Sequence, residues 1–141
     1  MLLVTTGRRV QVRVPPTTDH KKLEDSARGL LSDNGPTPLA DALLEIDERF
    51  MTAKNRRPVF VILTGDGSES STRSDDKQFG SWLDHLAARG VRAHAVVLKT
   101  GNGVPEAIAG AVVRATGGHF ETVSSGTALG DKLKSIAESL K

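Results

Sequence analysis

The segment Thr64-Gly65-Asp66-Gly67-Ser68-Glu69-Ser70-Ser71-Thr72 concentrates the residue types that could do chemistry. It offers two carboxylates and several hydroxyls, the hard oxygen donors that suit Mg²⁺ or Ca²⁺. Asp66, Ser68 and Ser70 stand in a D-x-S-x-S pattern, which would let one aspartate and two hydroxyls reach a single ion. Gly, Ser and Asp also build turns, so the segment reads either as a plain loop or as an ion site. A second informative stretch is Asn34-Gly35-Pro36-Thr37-Pro38-Leu39-Ala40-Asp41. Thr37 is the natural N-cap of a helix opened by Pro38, and its hydroxyl could face an ion or ligand near Asp66.

Other chemistries find less support. Gly101-Asn102-Gly103 precedes a helix, as phosphate-binding loops do, but Glu106 stands where G-x-G-x-x-G needs its third glycine, and no G-K-[ST] follows. Ser68 lacks the G-x-S-x-G elbow of a hydrolase nucleophile. His20 and His85 fall in helical patterns that look exposed, while His94 and His119 belong to strands and read as structural. The four histidines do not have zinc spacing, and the absence of cysteine excludes disulfides, thiolate metal sites and cysteine nucleophiles. No catalytic residue is assigned. A small α/β enzyme or nucleotide binder using the Gly-rich loops is the alternative reading.

The elements that must position these loops follow from hydrophobic periodicity. Leu2-Leu3-Val4, the turn Gly7-Arg8-Arg9 and the alternating Val10, Val12 and Val14 predict an antiparallel hairpin over residues 2–14, ended by Pro15-Pro16. Leu23, Ala27, Leu30 and Leu31 share one helix face, with Thr18 or Asp19 as cap and Asn34-Gly35 beyond its end. Leu39, Leu43, Ile46 and Phe50 form the stripe of a helix from about Pro38 to Ala53. Val59 to Leu63 is an uninterrupted apolar run, the pattern of a parallel strand covered on both faces. Phe79, Trp82, Leu83 and Leu86 mark a further helix, stopped by Gly90, and Val91 to Leu98 is the next strand. Pro105 opens a helix with Ile108, Ala109, Val112 and Val113 inward and Gly117-Gly118 at its end. His119 to Val123 is a short strand, and Leu129, Leu133, Ile136 and Leu140 make a last helix. Strands alternating with helices after residue 58 imply right-handed crossovers and a parallel sheet. Ligands of such sheets bind at the carboxyl ends of the strands, which singles out residues 33–37, 64–75 and 99–105.

With 141 residues, 38% hydrophobic and 26% charged, the chain reads as one globular domain over 1–141, too apolar for disorder. Nineteen basic against 17 acidic residues, with scattered basic pairs, give no nucleic-acid footprint, and 4% aromatics without tyrosine give no stacking platform for bases. No apolar run approaches the ~20 residues of a membrane span. Met1-Leu2-Leu3-Val4 has neither the basic region nor the cleavage site of a signal peptide.

Pro58-Val59-Phe60-Val61-Ile62-Leu63-Thr64-Gly65-Asp66-Gly67, together with Gly35-Pro36-Thr37-Pro38-Leu39-Ala40-Asp41-Ala42-Leu43, resembles a von Willebrand factor A domain, most closely the bacterial branch related to it. Thr17-Thr18-Asp19 and Ala115-Thr116-Gly117-Gly118-His119-Phe120 also match the family's phrasing, so the resemblance covers nearly the whole chain. It implies a Rossmann-like, doubly wound, mostly parallel sheet with helices on both faces and an antiparallel N-terminal hairpin. It also implies a metal-ion-dependent adhesion site at the top of the sheet and non-catalytic binding of another protein. By the resemblance Thr37 matches the family's threonine, and Asp66 its aspartate if Gly65 is an insertion. Ser68 is placed near them, and any ion would be Mg²⁺.

The chain departs from the family at its start, where the first strand, first helix and D-x-S-x-S loop are not found before residue 2. The expected adhesion site is therefore degenerate or incomplete, and the protein partner is not named by the sequence. The missing strand would leave open sheet edges, which invite strand donation or self-association. Three arrangements accommodate this, in order of preference: an upstream start, direct closure of residues 2–6 on 58–64, or a strand donated by a partner chain. An upstream start would leave export open, because relatives of this kind are often exported.

Overall fold

The computed structural model describes residues 1–7, 9–29, 36–51, 58–65, 67–99 and 103–139. Leu30, Leu31, Asn34-Gly35, Ala53, Asp66, Gly101-Asn102 and Leu140, all used in the sequence reading, lie outside the described residues. Three β-branched and apolar segments, β3 (Val59–Gly65), β4 (Arg92–Leu98) and β5 (Phe120–Val123), form a parallel sheet in the order β3-β4-β5. Val61 stands opposite His94, Leu63 opposite Val96, and Ala95 opposite Phe120. The helices α2 (Leu39–Phe50), α3 (Asp76–Ala88) and α4 (Val104–Thr116) bury one face of this sheet. Their core holds Leu39, Leu43, Trp82, Leu86, Ala109 and Val112 against Phe60, Ile62, Ala93, Ala95 and Val97. The other face carries α5 (Gly126–Ser139), whose Ile136 packs with Val96 and Val123.

That second face is covered only in part. Phe60 and Ile62 are 7% and 6% exposed, whereas Val59, Val61 and Leu63 are 42%, 43% and 51% exposed. The apolar run therefore corrects the expectation of a strand covered on both faces. It is a parallel strand, but among the described residues it lies at the sheet edge, and it alternates in burial with the period-two pleat.

The hairpin forms as predicted, from β1 (Leu3–Thr6) and β2 (Val10–Val14), with Val4 opposite Val12 and an irregularity between Leu3 and Val4. It is a separate two-stranded sheet with no ladder to β3, so residues 2–6 do not close directly on 58–64. Val14 is completely buried, and β2 packs on both α1 (His20–Arg28) and α2. Asp19, rather than Thr18, caps α1 by accepting the Lys22 N–H at 3.1 Å.

Two buried polar arrangements fix the helices. The Asp47 carboxylate, 7% exposed, accepts Trp82 Nε1–H at 3.0 Å and the Arg89 guanidinium at 2.9 Å on both oxygens. This ties α2 to α3 and its C-cap. Thr116 Oγ1 accepts the Ala93 N–H at 3.0 Å and donates to the Val112 carbonyl at 2.8 Å, tying α4 to β4. Gly117 ends α4 in the left-handed conformation at φ 72°, where a side chain would be strained. Gly118 is required for a different reason: a Cβ there would lie 1.6 Å from the Ala93 carbonyl oxygen.

Candidate functional site: the loop at the carboxyl end of β3

Thr37 and Ser68 do come together, through the backbone rather than through their hydroxyls. The Thr37 N–H donates to the Ser68 carbonyl at 2.9 Å, and the Ser70 N–H donates to the Thr37 carbonyl at 3.1 Å, which makes a parallel bridge between Thr37 and Glu69. Thr37 is therefore not the N-cap of α2. Pro38 holds that position and has no side chain that can cap. The orphan N–H groups of the first turn are satisfied instead by the loop after β3. Glu69 Oε2 accepts the Leu39 N–H at 3.2 Å, and Ser71 Oγ accepts the Asp41 N–H at 3.0 Å. A carboxylate at this end of the helix is also favoured by the helix dipole.

The helix answers the loop with a carboxylate of its own. Asp41 accepts the N–H groups of Thr72 at 2.8 Å, Arg73 at 3.0 Å and Ser74 at 2.9 Å, and the Ser74 hydroxyl at 2.7 Å. Partial burial works to raise the Asp41 pKa, but these four bonds to its charged form outweigh burial and hold it below 3.8. Glu69 in turn accepts the Ser71 N–H at 2.9 Å and the Ser71 hydroxyl. Residues 68–74 are thus latched onto the first turn of α2 by two reciprocal carboxylates. Arg9 and Val10 of the hairpin border a small cavity with Asp41, Glu45, Ser70 and Arg73, which brings all three parts to one surface.

This donor set does not fit a cation site among the described residues. Both carboxylates point at backbone N–H groups, and Ser71 and Ser74 donate their hydroxyl protons to those carboxylates. Asp66, the aspartate the sequence reading placed at the ion, lies outside the described residues. Asp41 and Glu69 were not among the expected site residues. The available signal was weak: an acid in the first turn of a helix, and an acid three residues beyond Asp66 in a Ser-rich loop.

Away from this loop, His94 is 3% exposed and its Nδ1 accepts the His119 N–H at 3.3 Å. Its Nε2 has no hydrogen-bond partner among the described residues. Burial first, then the neighbouring His119 and Arg92 charges, lower its pKa below 6.5. It is a buried neutral strand histidine, as the sequence reading expected of a structural residue.

No protein-family model matches the chain, and no curated protein sequence matches it. Among solved structures, the SpRpn10 VWA domain is similar over 86% of this chain, at 16% identity and a TM-score of 0.59. An uncharacterized membrane spanning protein from Vibrio fischeri aligns over 99% of this chain and 75% of its own length, at 14% identity and a TM-score of 0.46. The chain spans 63% of the length of the SpRpn10 domain. A parallel α/β sheet flanked by helices, a separate antiparallel hairpin and this structural likeness together establish a von Willebrand A-like fold.

Proposed function

We propose that the chain is a non-catalytic protein-interaction domain of the von Willebrand A type with a degenerate adhesion site. Its binding surface is the loop end formed by Thr37, Ser68 to Ser74 and Lys99. The observation that carries this reading is the reciprocal latch of Glu69 on Leu39 and Asp41 on residues 72–74. It turns Glu69 and Asp41 into structural acceptors and presents residues 68–74 as a fixed surface, at the strand ends where ligands of open α/β sheets bind. The von Willebrand A-like fold supports an interaction role in general.

Two measurements test the proposal. In thermal melts, an intact ion site saturated at 100 times its Kd would add about 2.7 kcal/mol. The degenerate site predicts a midpoint that is the same in excess Mg²⁺ and in EDTA. Stabilisation by ATP or GTP would overturn the interaction reading in favour of a nucleotide binder. The second measurement is affinity capture with the tagged chain against Ser68→Arg and Lys99→Glu. Both residues are exposed, and the Ser68 side chain takes no part in the latch. A protein retained by the parent and lost by both variants at unchanged melting temperature supports the loop surface. Equal retention by all three rejects it.

A further inference from the structure

We propose that the groove between α2 and α3 docks a basic, amphipathic segment of a partner protein, with one arginine or lysine side chain laid over Leu44 and Trp82 and its charge at Glu48. This rests on the interaction reading for the class of partner, and it places a second contact surface away from the loop end.

The two helices run in the same direction and are tied together near both ends. Asp41, in the first turn of α2, holds the N–H groups of residues 72–74 that lead into α3. Asp47, toward the end of α2, holds Trp82 and Arg89, the C-cap of α3. The solvent side of this pair leaves a concave volume of about 780 Å³, within the range of ligand sites. Both ties exist in the free chain, so the groove is pre-formed and a ligand need not open it. Its α3 wall runs from Lys77 to His85, about 12 Å along the helix axis. The groove lies on the helices that bury one face of the parallel sheet, away from the β3 edge and from α5 on the opposite face.

The lining sets the chemistry. Leu44 and Trp82 make the apolar floor. Trp82 Nε1 is already bonded to Asp47, so the indole offers a ligand carbon surface only. Glu48, Ser81 and His85 stand around that floor, and all three are exposed. Glu48 has no hydrogen bond or ion pair with any other described residue, and its neighbour Arg49 is engaged by Glu45 at 2.7 Å. Lys77 lines the end nearer the start of α3 and disfavours a base there, which directs the base to Glu48. The charge of the whole face agrees: residues 39–50 and 75–89 hold seven acids against three bases, in a chain of 17 acids against 19 bases. Such an acidic face on a net-basic protein attracts a base-bearing partner. An arginine or lysine satisfies both features, because its stem covers apolar surface while its head stays with the carboxylate. A neutral apolar segment would strip water from Glu48 and give nothing back. An acidic segment would meet Glu48 with like charge.

Trp82 is the single tryptophan of the chain, so its fluorescence reports on the groove floor. The test titrates the whole chain with a short capped peptide that carries leucine and arginine at helical spacing, the pattern of helix-in-groove binding. A saturable shift of the Trp82 emission is expected, and none with the same peptide carrying glutamate in place of arginine. Glu48→Lys and Ser81→Lys put a base at exposed helix positions where lysine is a good helix former, and circular dichroism should show both folded. Each should weaken peptide binding at least about tenfold, because like charges then face each other. No saturable shift, equal binding of the glutamate peptide, or parental affinity in either folded variant overturns the proposal. Saturation by free argininamide as tightly as by the peptide overturns it in favour of a small cationic ligand. A concentration-dependent shift without peptide overturns it in favour of a second copy. Ser68→Arg and Lys99→Glu should bind the peptide as the parent does, so failure here is distinguishable from failure of the loop surface.

Discussion

Asp41→Asn tests the latch most directly. Asn keeps one acceptor oxygen and replaces the other with an N–H₂ donor. Oδ2 accepts the N–H groups of Thr72 and Arg73, and Oδ1 those of Ser74 and the Ser74 hydroxyl. Whichever oxygen is replaced, at least two donors then face a donor, and the remaining bonds lose the assistance of charge. Hydrogen bonds to a charged group contribute about 1.5–3 kcal/mol each. Freeing three loop residues returns about 1–2 kcal/mol of backbone entropy per residue. The expected net loss is about 1–3 kcal/mol, a fall in Tm of about 3–12 °C for a chain of this size. The pH dependence has a definite sign. The folded pKa lies below 3.8, so the stabilisation is complete above 3.8 and is lost as pH falls through the folded value. Urea melts of parent and variant at pH 7 should differ by the full amount, and the gap should close as the pH is taken below 3.8. Amides of Thr72, Arg73 and Ser74 should lose protection in the variant. Equal stability at pH 7, or a gap that persists undiminished at the acid end, would refute the argument.

Three other perturbations have expected outcomes. Asp47→Ala leaves Trp82 Nε1 without its acceptor and the Arg89 guanidinium with only the Met51 carbonyl, in a site where the carboxylate is 7% exposed, and should cost about 3–5 kcal/mol in a denaturant titration. Gly118→Ala pushes a methyl group into the Ala93 carbonyl, which belongs to a central strand and cannot yield, so a loss of about 3 kcal/mol or a failure to fold is expected by circular dichroism. His94 is buried with a pKa below 6.5, so the unfolded chain binds its proton first and stability falls as pH drops below 6.5 toward the folded value. His94→Phe should flatten that part of the stability profile measured by urea melts from pH 7.5 to 5.5.

The order of elements was legible because periodicity is a local property. Val10, Val12 and Val14 alternate, Leu39, Leu43 and Ile46 recur with the helical period, and the Gly117-Gly118 pair stops α4 where the left-handed turn is needed. The von Willebrand A-like fold could be read from the segments around residues 35–43 and 58–67, and the structural likeness agrees. Thr37 was misread as a cap because an N-cap signal is also local, and the first turn of α2 is satisfied by residues about 30 positions away in sequence. Asp41 and Glu69 were missed for the same reason: their role exists only once the loop after β3 lies across the helix.

Burial was the other limit. An apolar run such as Val59 to Leu63 specifies a strand, but composition cannot say how many neighbours that strand will have. The sequence alone determined the α/β class and the element order, and it placed the Thr37 segment near the loop after β3. Only the tertiary structure decided that β3 is an edge among the described residues, that the hairpin stands apart from the parallel sheet, and that Asp41 and Glu69 hold backbone N–H groups. These are relations between segments distant in sequence, set by which surfaces pack and which hydrogen-bonding groups remain to be satisfied.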